Sequence, residues 1–417
     1  GKQFSVIACP VDRTCLPSST RVLPRRLGQE TRLLKILYLV PNLSDPAVAR
    51  RVSMFRLGGA EVEIAGFRRA DAPPAELPLE RFVELDVTHD GRMIQRLFAT
   101  LGAASRARGW GRTLSRPDVI VARNLEMLGI ANRLLDLWPQ APSLVYECLD
   151  IHRLMLRSDR LGKGMRAIEQ RLLRRASLLL TSSPAFLSNY FDMVGAPPAC
   201  LVENKVLAEA KDERGHNAAL HESTAPIRLG WFGALRCRKS LIALDTLSRA
   251  LDGRLKVTLR GRPALTEFDD FHGDVSASPN LTFGGSYRYP DDLAGLYSSV
   301  HLSWAIDFFE EGQNSRWLLP NRIYEGCLHG AIPIALAGTE TATFIKTLGI
   351  GLVVPDIDPQ TLSDLFSGMS AERLRALASA VAAVDPATFR CDAVACARLV
   401  ERLARTTAQG DAMEQAA

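Results

Sequence analysis

Leu33-Leu34-Lys35-Ile36-Leu37-Tyr38-Leu39-Val40, then Pro46-Ala47-Val48-Ala49-Arg50-Arg51-Val52-Ser53-Met54-Phe55-Arg56-Leu57, then Glu61-Val62-Glu63-Ile64-Ala65-Gly66, is the passage on which the fold turns. The first run is apolar at nearly every position, as a strand covered on both faces must be. Asp45 stands at a helix N-cap, Pro46 takes the first helical position, and Gly58-Gly59 closes the helix. A second strand follows at once.

The alternation continues outward from there. Helix is expected at about 91–108, strand at 118–122, helix at 125–137 and strand at 143–148. A basic helix follows at 163–175, then strand 177–181, helix 184–194 and strand 200–203. This is the pattern of a doubly wound parallel sheet. A polar stretch at 208–224 reads as a linker. A second series starts at 227–233, with strands near 255–260, 281–283, 300–303, 331–336 and 351–354. Residues 359–408 are Ala-rich and helical in pattern. The expected organisation is a weakly ordered extension (1–32), a first α/β domain (33–207), a linker (208–226), a second α/β domain (227–385) and a helical tail (386–417). In such sheets ligands bind beyond the carboxyl ends of the strands, here in a cleft between the domains.

Composition agrees. At 417 residues, 47% hydrophobic and 23% charged, the chain can bury a sizeable core, which excludes disorder, collagen and coiled coil as whole-chain readings. The net charge of +5 is too small to announce a nucleic-acid binder. It is unevenly spread: residues 1–210 carry 30 Lys and Arg against 21 acids, a net of +9, and the remainder carries 21 against 25, a net of −4. A basic half suits an anionic lipid or phosphate partner. The eight cysteines include no C-x2-C pair, so zinc has little support, and they read as buried apolar residues in a reducing compartment. The apolar run at 4–9 is too short for a signal-peptide core, and no run approaches a spanning helix.

Several chemistries are unsupported. No G-x-G-x-x-G follows the first strand, and neither G-x4-G-K-[ST] nor G-x-S-x-G occurs. Asp356 and Asp358 form a D-x-D, but Pro359 and a helix follow, so a turn and helix cap is the better reading than a metal site.

Three segments of the second domain suggest a ligand. In Gly230-Trp231-Phe232-Gly233-Ala234-Leu235-Arg236-Cys237-Arg238-Lys239-Ser240 a strand ends at glycine and a helix begins among Arg236, Arg238 and Lys239. Amides at a helix start and cations suit a diphosphate. The second runs from Glu310 and Glu311 through Asn314, Ser315, Asn321 and Arg322 to Glu325, whose carboxylate can accept ribose hydroxyls. The third, Gly330 to Glu340, is a buried strand and Gly-Thr turn that reads chiefly as scaffold.

At these residues the chain resembles glycosyltransferases of the GT-B fold, particularly glycosyltransferase family 4-like enzymes. In pattern it is similar to bacterial exopolysaccharide enzymes of the succinoglycan type. The resemblance covers about residues 33–385 and rests on the order of the motifs, including Asn321-Arg322-Ile323-Tyr324-Glu325 with Gly330 and Pro333 downstream. It implies two Rossmann-like domains facing a cleft, a nucleotide diphosphate sugar as substrate on the second and an acceptor on the first. No cofactor or metal is implied, and the group moved would be hexosyl or glucuronosyl.

The chain also departs from the family. Ala234 stands where the family's Arg follows Gly, leaving Arg236 or Arg238 to replace it beside Lys239. Trp317 stands where the first Glu of the Glu-x7-Glu motif would precede Glu325. Leu149-Asp150 stands where retaining enzymes show His-Asp. An inverting transfer needs one base for the acceptor hydroxyl and cations for the leaving diphosphate. Asp150 is a candidate base, with His152 and Glu147 as alternatives and a helix N-cap as the competing role for Asp150. Retaining transfer, a non-catalytic scaffold and a nucleotide-sugar epimerase remain as other readings.

Residues 91–117 hold six arginines and no acid, with Met93, Ile94, Leu97, Phe98 and Leu101 at helical spacing. Arg92, Arg96, Arg106, Trp110 and Arg112 therefore form a candidate membrane and acceptor face, suited to a lipid-linked oligosaccharide. Residues 153–175 add eight cations against two acids. The expectation is a cytoplasmic protein, peripheral on the inner membrane face, with no nucleic-acid partner.

Overall fold

The structure, a computed structural model, describes residues 32–69, 82–88, 102, 105–207, 225–309 and 311–414. Two parallel sheets form its two domains. The first has seven strands: β1 (Leu34–Val40), β2 (Ala60–Arg69), β3 (Val83–Thr88), β4 (Val119–Arg123), β5 (Ser143–Cys148), β6 (Ala176–Thr181) and β7 (Ala199–Leu201). Their spatial order is β3-β2-β1-β4-β5-β6-β7, so the winding reverses between β1 and β4. Strand β3 is additional to the sequence reading: Val83-Glu84-Leu85-Asp86-Val87-Thr88 alternates apolar and acidic residues, as an edge strand does.

Strand β1 shows why its sequence is so uniformly apolar. Ile36, Tyr38 and Val40 enter one core and Leu37 and Leu39 the other, on opposite faces of the sheet. The helix Pro46–Leu57 packs on the first of these through Val48, Val52 and Phe55. Asp45 Oδ1 accepts from the amide of Ala47 at 2.9 Å, and the helix ends at Gly58 as its sequence specifies.

The second sheet contains β9 (Ile227–Leu235), β10 (Leu255–Pro263), β11 (Leu281–Phe283), β12 (Leu302–Trp304), β13 (Ile332–Leu336) and β14 (Leu352–Val354). Its order is β11-β10-β9-β12-β13-β14, with the reversal between β9 and β12. Between the sheets, β8 (Val206–Leu207) pairs with β15 (Arg390–Cys391). The chain therefore crosses between domains twice, side by side. Residues 208–224, expected as linker, lie outside the described residues.

The segment expected as a tail completes the first domain. Helix Ala393–Glu414 returns to the first sheet, and Cys396, Leu399, Val400 and Leu403 join the core around β1. Its approach is close: a Cβ added at Gly58 would lie 2.4 Å from the carbonyl oxygen of Cys396. Asp358 caps helix Pro359–Ser367, accepting from Gln360 and Thr361, and Asp356 accepts from the amide of Asp358. The D-x-D is the turn and cap that its surroundings specify.

Candidate functional site

The carboxyl ends of β9 and β12, on either side of the reversal, frame a cavity of about 280 Å³. Gly233, Ala234 and Arg236 line it from β9 and the turn that follows, and Ala305 to Asp307 from beyond β12. Gly233 has φ +101°, and Gly261 beside it has φ +133°. A Cβ at Gly261 would lie 1.9 Å from the Gly233 carbonyl oxygen, so two glycines let the strand ends come together here. Thr339 and Thr341 line the cavity from the start of helix Glu340–Leu348, where Thr339 Oγ1 caps the amide of Ala342. Free amides at such a terminus favour anions.

Glu325 lies in the wall, on helix Asn321–Leu328, and is 4% exposed. It accepts from the Tyr297 hydroxyl at 2.9 Å. Burial pushes its carboxyl above the ordinary value, while the Tyr297 hydrogen bond and the charges of Arg50 and Arg322 pull it back. Arg322 is buried and donates to the carbonyls of Trp304 and Ala234, at 3.4 and 3.3 Å. Its guanidinium thus ties β9 to β12 at the cavity's edge, where the sequence suggested a direct ligand contact. Ser315 and Asn321 also line the cavity.

The three cations of the β9 turn do not share one pocket. Arg236 borders this cavity and a second of about 330 Å³, which Arg238, Lys239, Arg153, Glu267, Phe308 and Phe309 line. Each cation also meets an acid: Arg236 with Asp307 at 3.2 Å, Arg238 with Asp269 at 2.5 Å, and Lys239 with Glu311. Arg236 lies over the Phe309 ring at 4.4 Å and Lys239 over Phe308 at 5.3 Å. Glu310 lies outside the described residues.

Across the cleft, the three candidate bases separate sharply. Glu147 is fully buried at the end of β5. It accepts from Arg51 Nε at 2.6 Å and from the Tyr38 hydroxyl, with Arg123 Nε at 3.5 Å. Burial alone would raise its carboxyl; Arg51 and Arg123 overcome that and hold it below the ordinary value. A carboxylate sealed from solvent and committed to two guanidiniums cannot collect a proton from an acceptor, so Glu147 is a structural residue. His152 is exposed, but its Nδ1 accepts from the Leu154 amide at 3.3 Å, capping the turn Arg153–Leu156. That takes the capping role considered for Asp150.

Asp150 is exposed on the cleft side and touches the other domain. Asn314 Nδ2 donates to Asp150 Oδ1 and to the Ile151 carbonyl, both at 2.6 Å. Asn314 is buried and lines neither cavity; it was expected at the donor site, and instead it clasps the candidate base. Trp317 joins the same interface. Its ring meets Phe186 edge-on at 6.5 Å, and its carbonyl accepts from Ser183 Oγ at 2.5 Å. An aromatic that packs against the first domain therefore replaces the acid at this point of the motif.

The proposed membrane face lies partly within the described residues. Arg92 and Arg96 lie outside the described residues. Trp110 is half-buried and packs on the first domain's core beside Leu114 and Leu137. Arg106 pairs with Asp86 at 3.3 Å, and Arg112 is exposed. Met93, Ile94, Leu97, Phe98 and Leu101 lie outside the described residues; among the described ones, Ala107 joins the first domain's core.

Tyr287 and Asp307, which line the cavity, and Arg50, whose charge acts on Glu325, were not recognisable as site residues from the chain. The Gly338-Thr339 turn, a glycine followed by a helix cap, carried a usable signal.

A glycosyl transferase 4-like domain matches residues 46–205. Over 383 residues the chain is 48% identical to the succinoglycan biosynthesis protein ExoL of Rhizobium meliloti (strain 1021), covering 90% of this chain and 95% of that protein. Sucrose-phosphate synthase from Thermosynechococcus elongatus superposes with a TM-score of 0.64 at 14% identity, covering 89% of this chain and 98% of the other. HepE of Anabaena, in complex with UDP and glucose, gives 0.61 at 16% identity, covering 88% and 98%. These last two likenesses establish the fold.

Proposed function

The chain belongs to the glycosyltransferase 4-like proteins of exopolysaccharide biosynthesis, GT-B enzymes, and from that premise we propose how its cleft divides the work. The nucleotide diphosphate sugar occupies the cavity at the β9–β12 reversal. Glu325 accepts from the ribose hydroxyls, and the amides of the Gly233 turn and the Thr339 helix start receive the diphosphate. Arg236, which borders this cavity, stabilises the charge that develops on the leaving group. HepE, a structural neighbour, holds UDP and glucose, which supports a uridine nucleotide as the donor to try first.

Asp150 takes the proton of the acceptor hydroxyl as that oxygen attacks the anomeric carbon from the face opposite the leaving diphosphate. With Asp150 as the base, the transfer is a single displacement, which inverts the anomeric centre. The acceptor is a lipid-linked oligosaccharide, which brings the enzyme to the membrane surface. The observation that carries this reading is the placement of Asp150: exposed, across the cleft from the donor cavity, and fixed by Asn314 from the donor domain.

A panel of nucleotide sugars with membrane extract as acceptor tests it, read by the anomeric configuration of the product. Inversion with loss of turnover in Asp150→Asn is expected. Retained configuration, or full turnover in that variant, removes Asp150 from the role. Activity that survives chelation of divalent ions is expected, because Arg236 supplies positive charge at the cavity.

A further inference from the structure

Helix Arg160–Leu173 has two unlike sides. Inward, Gly162, Glu169 and Leu173 are buried, and Glu169 accepts from the hydroxyls of Tyr146 and Tyr190 at 3.0 and 2.5 Å. Glu169 is the helix's only acid, so its outward side carries none. There Arg160, Lys163 and Arg171 are exposed, with Arg174 just beyond the helix. Leu161 and Ile168 stand among them, 52% and 53% exposed. One exposed leucine needs no explanation. Two branched apolar residues seven apart share a face, and exposed Gly164 leaves the surface between them flat.

The helix is also fixed relative to the cleft. Arg166 Nη1 donates to the carbonyls of Met155 and Arg157, at 2.5 and 2.7 Å, tying it to the turn that follows Asp150. Arg153 of that turn lines the second cavity.

We propose that this helix is the docking surface for an anionic lipid bilayer. Leu161 and Ile168 enter the boundary between headgroups and acyl chains, and Arg160, Lys163, Arg171 and Arg174 meet lipid phosphates. Charge complementarity selects this partner: cations with no exposed acid within the helix, the N-cap Asp159 being paired with Arg157, in the half of the chain that carries +9. The inference rests on the lipid-linked acceptor, since the helix is tied to the turn that carries Arg153 to the second cavity, so docking here holds the cleft near the bilayer.

Flotation of the full chain with phosphatidylglycerol–phosphatidylcholine vesicles, against phosphatidylcholine alone, tests the surface. Binding to the anionic vesicles only, released by salt, is expected, and each cation replaced by serine lowers the partition coefficient roughly fivefold. The double variant Leu161→Gln, Ile168→Gln keeps its thermal midpoint and its turnover of a soluble acceptor analogue. It loses flotation and turnover of the vesicle-embedded acceptor. Flotation of that variant equal to the wild type, no binding of the original chain to anionic vesicles, or binding of RNA in place of vesicles through these residues overturns the proposal. Failure of the soluble assay in the wild type would count against the transferase reading and leave the flotation result standing.

Discussion

Glu147→Gln separates structure from chemistry in this cleft. The change keeps the shape of the side chain and removes its charge. Glu147 is fully buried and Arg51 and Arg123 are about 5% exposed, so two guanidiniums would be left in the core facing a neutral amide. Removing one partner of a buried charge pair costs about 3–5 kcal/mol. For a domain of about 150–250 residues, each kcal/mol moves the midpoint by about 2–4 °C, so a fall of roughly 6–20 °C is expected. Thermal unfolding followed by circular dichroism measures it, and turnover assayed well below the new midpoint measures chemistry separately. The expected outcome is a large loss of stability with most of the turnover per folded molecule retained. An unchanged midpoint with abolished turnover would refute the reasoning and return Glu147 to the role of base.

Three further outcomes follow from other parts of the molecule. Asp150→Asn lowers kcat by about 10²–10⁴-fold, with stability within about 0.5 kcal/mol because the residue is exposed; single-turnover kinetics and a thermal melt check both. Gly58→Ala drives a Cβ into the Cys396 carbonyl, forces the returning helix away from Gly58 and costs about 1–3 kcal/mol by overpacking, read from urea unfolding. The buried carboxyls oppose one another in pH dependence. Glu147, held low by Arg51 and Arg123, contributes stability present above the unfolded carboxyl value and lost as pH falls through its folded value. Glu169, raised by burial against the Tyr190 and Tyr146 bonds, contributes stability present below the unfolded value and lost as pH rises through its folded value. Glu169→Gln should flatten that second slope in midpoint measurements made from the unfolded carboxyl value upward.

The alternation of strand and helix was legible because the central strands are covered on two faces, so β1, β4, β6 and β13 are largely apolar. Asp45-Pro46 and Gly58-Gly59 marked the first helix to the residue. Strand β3 escaped notice because an edge strand needs only one apolar face. The return of helix Ala393–Glu414 was invisible for a different reason: an amphipathic stripe records that a face is buried, not which sheet buries it. At the site, Gly233, Arg236 and Glu325 were found because glycine, cation and acid each stand at a strand or helix end. Glu147 and Asp150 were indistinguishable in sequence, lying three residues apart at the end of β5. Only the pleat and the turn after Cys148 send one into the core and the other into the cleft. Asn314 showed its polarity but not that its partner lay 164 residues away.

The return of the final helix also bears on how the chain is made. The second domain is continuous in sequence and can close as soon as it leaves the ribosome. The first domain begins to emerge earlier, yet the part of one sheet face beside helix Pro46–Leu57 stays open until Cys396, Leu399, Val400 and Leu403 are synthesised. The order of completion is therefore inverted relative to the usual N-terminal-first course of synthesis. A chain ended at residue 385 and released would hold a donor domain with its last helix in place, attached to an acceptor domain whose apolar patch is still exposed to chaperones.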